Sequence, residues 1–370
     1  MRCLFFNNTP AHVHLYKHTV ERLEADGHDV LVLARGDEFT ESLLSYHDVP
    51  YETYGDRGES LSSLLWELPT HLYAMGRKAR AFDPDVIFGI GPYAAYTGTI
   101  TETPAIAVLD SEPSLDHVVS RPFVQAFLTP EAFQKDLGAK HYRFEGFKES
   151  AYLHPDVFEP DESVRDDLGV GSDEPYAIVR LNAFNGHHDV GREGFSLEQR
   201  RRLIETLSEH ATIFVSDEGG DLDFANLDAQ PYDLHPARIH DALAEADLLV
   251  ADTQTMVTEA ALLGTPAIRS NSFVGEDDMG NFLELEDAGL VENLAEFEAV
   301  LERAAELLAD ESAPERWERR RDDYVEDMVN LTEVLSNIAL AYSETSTDPV
   351  PVDVTGPSAG TGTGRGEGVN

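Results

Sequence analysis

The chain has 370 residues, 42% of them hydrophobic, enough to bury a large core and to make two domains the expected number. Seventy acidic residues against 27 basic ones give a formal net charge of −43. This excludes a nucleic-acid binder, because neutralising phosphates needs a basic face and the chain has only five lysines and scattered arginines.

The first residues, Arg2-Cys3-Leu4-Phe5-Phe6, read as a strand that runs at once into polar Asn7-Asn8-Thr9, too short an apolar run for a signal peptide. Cys3 is the only cysteine, which excludes an intramolecular disulfide framework and fits core packing. No apolar run reaches the ~18 residues of a membrane span, so a soluble, cytoplasmic protein is expected, with membrane contact limited to a peripheral surface patch. A helix over Ala11 to Ala25, a stop at Gly27 and a strand over Val30 to Ala34 complete a Rossmann-like start. Strands follow at Val86–Ile90 and Ala105–Leu109, with helical stretches at 60–80 and about 94–101 between them, then extended Phe127–Leu128 before Pro130.

A second alternating series begins with the strand Tyr176–Leu181 and continues with a helix at 196–209, a strand at Thr212–Ser216, a helix at 236–245 and a strand at 248–251. Its next segment, Ala251-Asp252-Thr253-Gln254-Thr255-Met256-Val257-Thr258-Glu259-Ala260-Ala261-Leu262-Leu263-Gly264-Thr265-Pro266, reads as strand end, turn, short helix, glycine stop and proline. It places one carboxylate, Glu259, in an otherwise apolar helix and directs that helix's N-terminus, with Thr253, Gln254, Thr255 and Met256, at an anion. A charged amphipathic stretch, roughly 293–342, has an end that crosses back toward the first half. The division is residues 1–150 and 172–342 as two Rossmann-like domains, 151–171 as the connection, and 343–370 as a disordered tail rich in Ser, Thr, Gly and Pro. Two such halves predict an α/β protein of GT-B architecture, with the parallel sheets facing a central cleft.

Several further stretches stand out in order along the chain: Pro10-Ala11-His12-Val13-His14, Gly27-His28-Asp29-Val30 with Ala34-Arg35, Asp110-Ser111-Glu112, Gly146-Phe147-Lys148-Glu149-Ser150-Ala151-Tyr152-Leu153, Val179-Arg180 and the segment 251–270. Together they resemble a family of archaeal and bacterial proteins of unassigned function, similar in turn to UDP-N-acetylglucosamine 2-epimerases and to the peptidoglycan-precursor N-acetylglucosaminyltransferases. The resemblance covers nearly the whole chain before the tail. The density of carboxylates, with Arg preferred to Lys, resembles the acidic proteome of halophilic archaea, in which molar salt screens like-charge repulsion.

The resemblance implies that the first domain faces the acceptor and the second a nucleotide-sugar donor, UDP-linked, with no other cofactor and no metal. It gives Glu259 the ribose hydroxyls, and Asp278 and Asn281 the donor sugar. One departure is that Thr253-Gln254 or Gln254-Thr255, depending on alignment, stands where the family has a glycine pair, so side chains replace the close backbone approach that glycine permits. His12, at the start of the first helix, is the first candidate for a base, and His14 the second. Asp110 and Glu112 follow a strand and are placed for acid–base work or for acceptor hydroxyls. Arg180, at a strand's carboxyl end, is the cation for the diphosphate, since a planar guanidinium can hold two phosphate oxygens. His187-His188-Asp189 lacks a third properly spaced ligand, and no metal site is expected there.

The expected function is a metal-independent glycosyltransferase acting on a cell-surface glycan or lipid-linked precursor. A non-hydrolysing sugar 2-epimerase is the alternative, although Pro92 stands after Gly91 where the epimerases have Asp. A third reading, from a different class, is a GT-B-fold binding protein without catalysis.

Overall fold

The computed structural model describes residues 1–56, 61–182, 194–220, 222–275 and 278–343. The loop with His187-His188-Asp189 and residues 344–370 of the expected tail lie outside the described residues.

The first half contains β1 (Arg2–Asn7), α1 (Pro10–Ala25), β2 (Asp29–Gly36), α2 (Glu38–Tyr46), β3 (Tyr51–Asp56), α3 (Leu61–Phe82) and β4 (Val86–Gly89). It continues with α4 (Pro92–Thr101), β5 (Ala105–Val108), α5 (Asp116–Ser120), β6 (Ala126–Pro130) and β7 (His141–Phe144). Short α6 (Ser150–Leu153) and α7 (Val164–Leu168) lie in the connection. The second half has β8 (Tyr176–Leu181), α8 (Leu197–Leu207), β9 (Thr212–Asp217), β10 (Gln230–Pro231), α9 (Ile239–Ala244) and β11 (Leu248–Ala251). After them come α10 (Thr255–Leu263), β12 (Ala267–Arg269), α11 (Gly280–Asp287), β13 (Val291–Asn293), α12 (Phe297–Ala309), α13 (Ala313–Val325) and α14 (Leu331–Ser343).

The strands form two sheets, β3-β2-β1-β4-β5-β6-β7 and β10-β9-β8-β11-β12-β13, and every pairing is parallel. β4, β5 and β11 are buried along their whole length, as unbroken apolar runs covered by helices on both faces must be. The edge strands β3 and β7 carry Glu52, Thr53, His141 and Arg143, so neither reads as an apolar run and the sequence predicts neither. The stretch read as one helical region over 293–342 is three helices, because Asp310–Ser312 and Glu326–Asn330 interrupt it. The helix expected at 236–245 begins as a 3-10 turn over Pro236–Arg238.

In both sheets the strand order reverses beside the first strand, between β1 and β4 and between β8 and β11. Ligands bind outside the carboxyl ends of strands at such switch points, which here are the ends of β1 and β4 in one sheet and of β8 and β11 in the other.

The halves are joined by a continuous core in which Phe5, Tyr16 and Tyr152 share a cluster with Tyr176, Val257 and Leu331. α14 returns to pack on α1 and α6, and Thr332 Oγ1 donates to the Ala151 carbonyl at 2.7 Å. A second junction forms where Gly280 meets the β6–β7 loop: a Cβ there would stand 1.8 Å from the Ala132 carbonyl oxygen. Gly280→Ala should therefore push the halves apart locally and destabilise the protein by about 1–3 kcal/mol, read as a lower midpoint in denaturant unfolding. An unchanged midpoint would show that this contact does not constrain the docking.

Candidate active site

The helix that carries Glu259 starts where β11 ends, and its first turn has no side-chain cap. Gln254 occupies the N-cap position without a cap hydrogen bond. The N–H groups of Val257 and Thr258 return to the Gln254 carbonyl at 3.1 and 3.3 Å, while those of Thr255 and Met256 have no acceptor among the described residues. Thr253 Oγ1 is buried and also unpartnered. Two orphan N–H groups and one hydroxyl thus converge at the positive end of α10, the usual arrangement for an anion.

One turn further on, Glu259 is 5% exposed. Its Oε1 accepts from the Tyr152 hydroxyl at 2.8 Å and from His240 Nε2 at 3.1 Å, while its Oε2 makes no hydrogen bond among the described residues. Burial opposes its ionisation, but His240, the two hydrogen bonds and Lys148 outweigh burial and hold Glu259 below the usual carboxylate range. Tyr152 comes from α6 in the connection, so the carboxylate assigned to the second domain is oriented from outside that domain. One oxygen is fixed and the other can accept from a ligand.

Opposite, His12 lies in the first turn of α1, and its Nδ1 accepts from the Asn8 backbone N–H at 3.2 Å. That bond requires the proton of the neutral ring to be on Nε2. Burial and the Lys148 charge push His12 down to about 4. The geometry therefore corrects the base assignment: at neutral pH His12 presents Nε2–H as a donor and has no lone pair there to take a proton. His14 points elsewhere, into a buried aromatic group with its ring centroid 4.6 Å from that of His240 and 5.4 Å from that of Tyr152, and with Nδ1 unpartnered. Burial holds it well below the usual histidine range, so it is a neutral packing residue and not a cleft base.

Asp110 and Glu112 separate in role. Asp110 is partly exposed and bonds Lys148 Nζ, which also donates to Glu149 Oε1 at 2.6 Å. Glu112 turns away: its Oε1 accepts from the backbone N–H of Gly280 at 3.2 Å and of Gln134 at 3.1 Å. It ties the two halves together and caps α11, so of the pair only Asp110 keeps access to the cleft. Glu149 was quoted in the sequence only as part of a motif. It is 1% exposed with Oε2 buried and unpartnered, and burial raises it to about 7 against the pull of Lys148. Nothing in the order of residues shows that Lys148 will lie between two carboxylates 38 and one positions away.

Of the remaining candidates, Arg180 and Asp278 are engaged within the protein. Arg180 donates to Ser216 Oγ at 2.5 Å and pairs with Glu218, so a diphosphate would have to compete with that carboxylate. Asp278 pairs with the wholly buried Arg269 and accepts from the Met279 N–H at 2.8 Å, which removes it from the set free to bind a sugar. Asn281 is buried with its Oδ1 unpartnered. Asp252, one residue beyond β11, accepts from the N–H groups of Asn182 and Phe195 at 2.7 and 3.2 Å. Among the described residues no group of three or more His, Cys, Asp or Glu side chains could hold a metal ion, and no helix is long and apolar enough to cross a membrane.

Because Glu149 carries a proton in the native state up to about pH 7 but only to about 4.5 when exposed, the native state binds the extra proton between these values. Its favourable contribution is present at acid pH and is lost as pH rises through 7. Glu149→Gln, which keeps an acceptor for Lys148, should flatten this fall and leave the variant more stable than the parent at pH 8 by roughly 1–3 kcal/mol, measured as denaturant unfolding against pH. A pH dependence identical to the parent's would remove the assignment.

Structures with the same two-sheet architecture include UDP-GlcNAc 2-epimerase from Neisseria meningitidis bound to UDP-GlcNAc (TM-score 0.64, 11% identity, 94% of this chain and 100% of that one). Anabaena Alr3699/HepE in complex with UDP and glucose gives a TM-score of 0.59 at 15% identity, covering 93% of this chain and 100% of that one. CalG4, the calicheamicin glycosyltransferase, gives 0.58 at 15% identity over 94% and 99% of the two chains. The architecture is therefore GT-B. No curated protein matches the chain by sequence. The family model described as protein of unknown function (DUF354) matches residues 4–333, nearly everything before the tail, and the chain belongs to that family.

Proposed function

We propose that the protein is a metal-independent, nucleotide-sugar-dependent glycosyltransferase of GT-B type whose acceptor is a cell-surface glycan or lipid-linked precursor. The observation that carries this reading is the open N-terminus of α10, where the Thr255 and Met256 N–H groups and Thr253 Oγ1 lack partners one turn before the available oxygen of Glu259. A nucleoside diphosphate fits this spacing, with phosphate at the helix end and ribose hydroxyls on the carboxylate. UDP is the nucleotide favoured, because structural neighbours hold UDP or a UDP-sugar.

In this reading the diphosphate leaves as the sugar–oxygen bond breaks, and the acceptor hydroxyl forms the new bond and loses its proton. His12 Nε2–H donates to the leaving diphosphate or to a sugar hydroxyl. Asp110 receives the acceptor proton, and Lys148 connects it to Glu149, a carboxyl poised to hold a proton near neutrality. The same acid–base pair favours a second reading, nucleotide-sugar 2-epimerisation, which needs no acceptor.

Titration with UDP- and GDP-sugars in molar KCl tests both enzymatic readings. A donor at 100 times its dissociation constant should raise stability by about 2.7 kcal/mol, and Glu259→Ala should weaken its binding by roughly tenfold or more. The absence of stabilisation by either sugar nucleotide would leave a binding protein for some other ligand. Where binding occurs, incubation with donor alone separates the readings: epimer formation overturns the transferase, and nucleotide release that depends on an acceptor supports it.

A further inference from the structure

The loop after β5, which carries Asp110 and Glu112 at its cleft end, continues into a surface of different character. Leu115, Val118, Val119 and Phe123 are 71, 56, 41 and 42% exposed. They are four of the eight large hydrophobic side chains exposed among the described residues, gathered within nine positions. With exposed Pro122 they follow helical spacing through α5 and the turn beyond it, so one apolar stripe faces solvent, while Ser120 and Val124 turn inward. Apolar side chains scattered singly over a surface need no explanation, but a contiguous stripe does.

The charge around the stripe departs from the rest of the chain. Residues 113–148 hold five basic and four acidic residues, whereas the whole chain carries −43. Elsewhere many arginines are matched to carboxylates, as Arg200 is to Asp217, Arg238 to Asp167 and Arg303 to Glu292, while others, such as Arg80 and Arg320, donate to backbone carbonyls. Beside the stripe, Lys140 Nζ donates to the Val124 carbonyl at 2.6 Å and Lys135 Nζ to that of Glu112. Arg143 donates to the Glu131 and Lys135 carbonyls at 2.8 and 3.1 Å, and Arg121 lies within the stripe itself. Among the described residues none of these four cations forms an ion pair. Their charges therefore remain available to an external anion.

An exposed apolar stripe rimmed by unneutralised Lys and Arg is the pattern of a segment that sinks its side chains to the acyl boundary while its cations meet headgroup phosphates. We propose that the Leu115–Phe123 stripe, with its rim of Arg121, Lys135, Lys140 and Arg143, docks on an anionic lipid bilayer. A second protein chain would meet the apolar side chains alone, whereas the headgroups of an anionic bilayer also offer phosphates to the cations beside them, Arg121 within the stripe and Lys140 on the Val124 carbonyl. The inference rests on this surface alone and stands independently of the chemistry proposed for the cleft.

The test is flotation of the full-length protein with vesicles of phosphatidylglycerol mixed with phosphatidylcholine, and with vesicles of phosphatidylcholine alone, at two salt concentrations. The parent should float with the anionic vesicles, less so at the higher salt. Val118→Asp with Phe123→Asp should lower the vesicle-bound fraction by about tenfold or more, and Lys140→Glu should lower binding to the anionic vesicles by several-fold. Leu115→Ser, at the most exposed position of the stripe, serves where the paired variant fails to fold, and folding of each is checked by circular dichroism. No flotation of the parent, or flotation unchanged in the folded variants, would overturn the proposal. So would equal binding to both vesicle types, or a parent dimer without lipid that the stripe variants convert to monomer, which would make the stripe a contact between copies of this chain.

Discussion

Glu259 accepts two hydrogen bonds on one oxygen, from Tyr152 of α6 and His240 of α9, and most of what is distinctive in the cleft depends on that arrangement. A carboxylate at 5% exposure is unfavourable unless it is held by donors and positive charge, and here the donors come from the connection and from the second half. Because α6 also supports α14, the helix that returns from the C-terminal region, the bonds that orient Glu259 are continuous with the packing that docks the halves. A change in the relative position of the halves would alter the direction in which its second oxygen points.

The buried charges around Lys148 obey a related constraint. Lys148 lies between Asp110 and Glu149 at low exposure, and one ammonium cannot fully compensate two carboxylates taken out of water. The conflict is resolved unequally. Asp110 keeps access to solvent, whereas Glu149, with an unpartnered buried oxygen, is raised to about 7. His12 is fixed by a different local rule: the Asn8 N–H needs an acceptor, and giving it Nδ1 decides the tautomer and turns a candidate base into a donor. The side chains that remain available to a ligand are thus those left over after the backbone and the buried charges have been satisfied.

The excess of carboxylates has a consequence for these choices. With 70 acidic groups in the chain, a cation that meets a carboxylate is the ordinary outcome, and Arg180 with Glu218 and Arg269 with Asp278 follow it. Lys135, Lys140 and Arg143 spend their donors on backbone carbonyls instead, which satisfies hydrogen bonding without cancelling charge.

The sequence by itself determined the alternation of apolar strands and helices, the two parallel sheets, the glycine stop at Gly264 and the position of Glu259 in the helix after β11. Each follows from local propensity and periodicity, which act over a few residues. Edge strands β3 and β7 were not legible because a strand paired on one side has no need of an apolar run. Which polar side chains would remain open was decided only in the tertiary structure. Asp278, Arg180 and Glu112 sit where a sequence motif puts them, yet Arg269, Glu218 and Gly280 claim them. Glu149 looked ordinary until folding buried it beside Lys148. Hydrogen-bond saturation and desolvation depend on every group within a few ångströms, and those groups come from segments up to 168 positions apart in the chain.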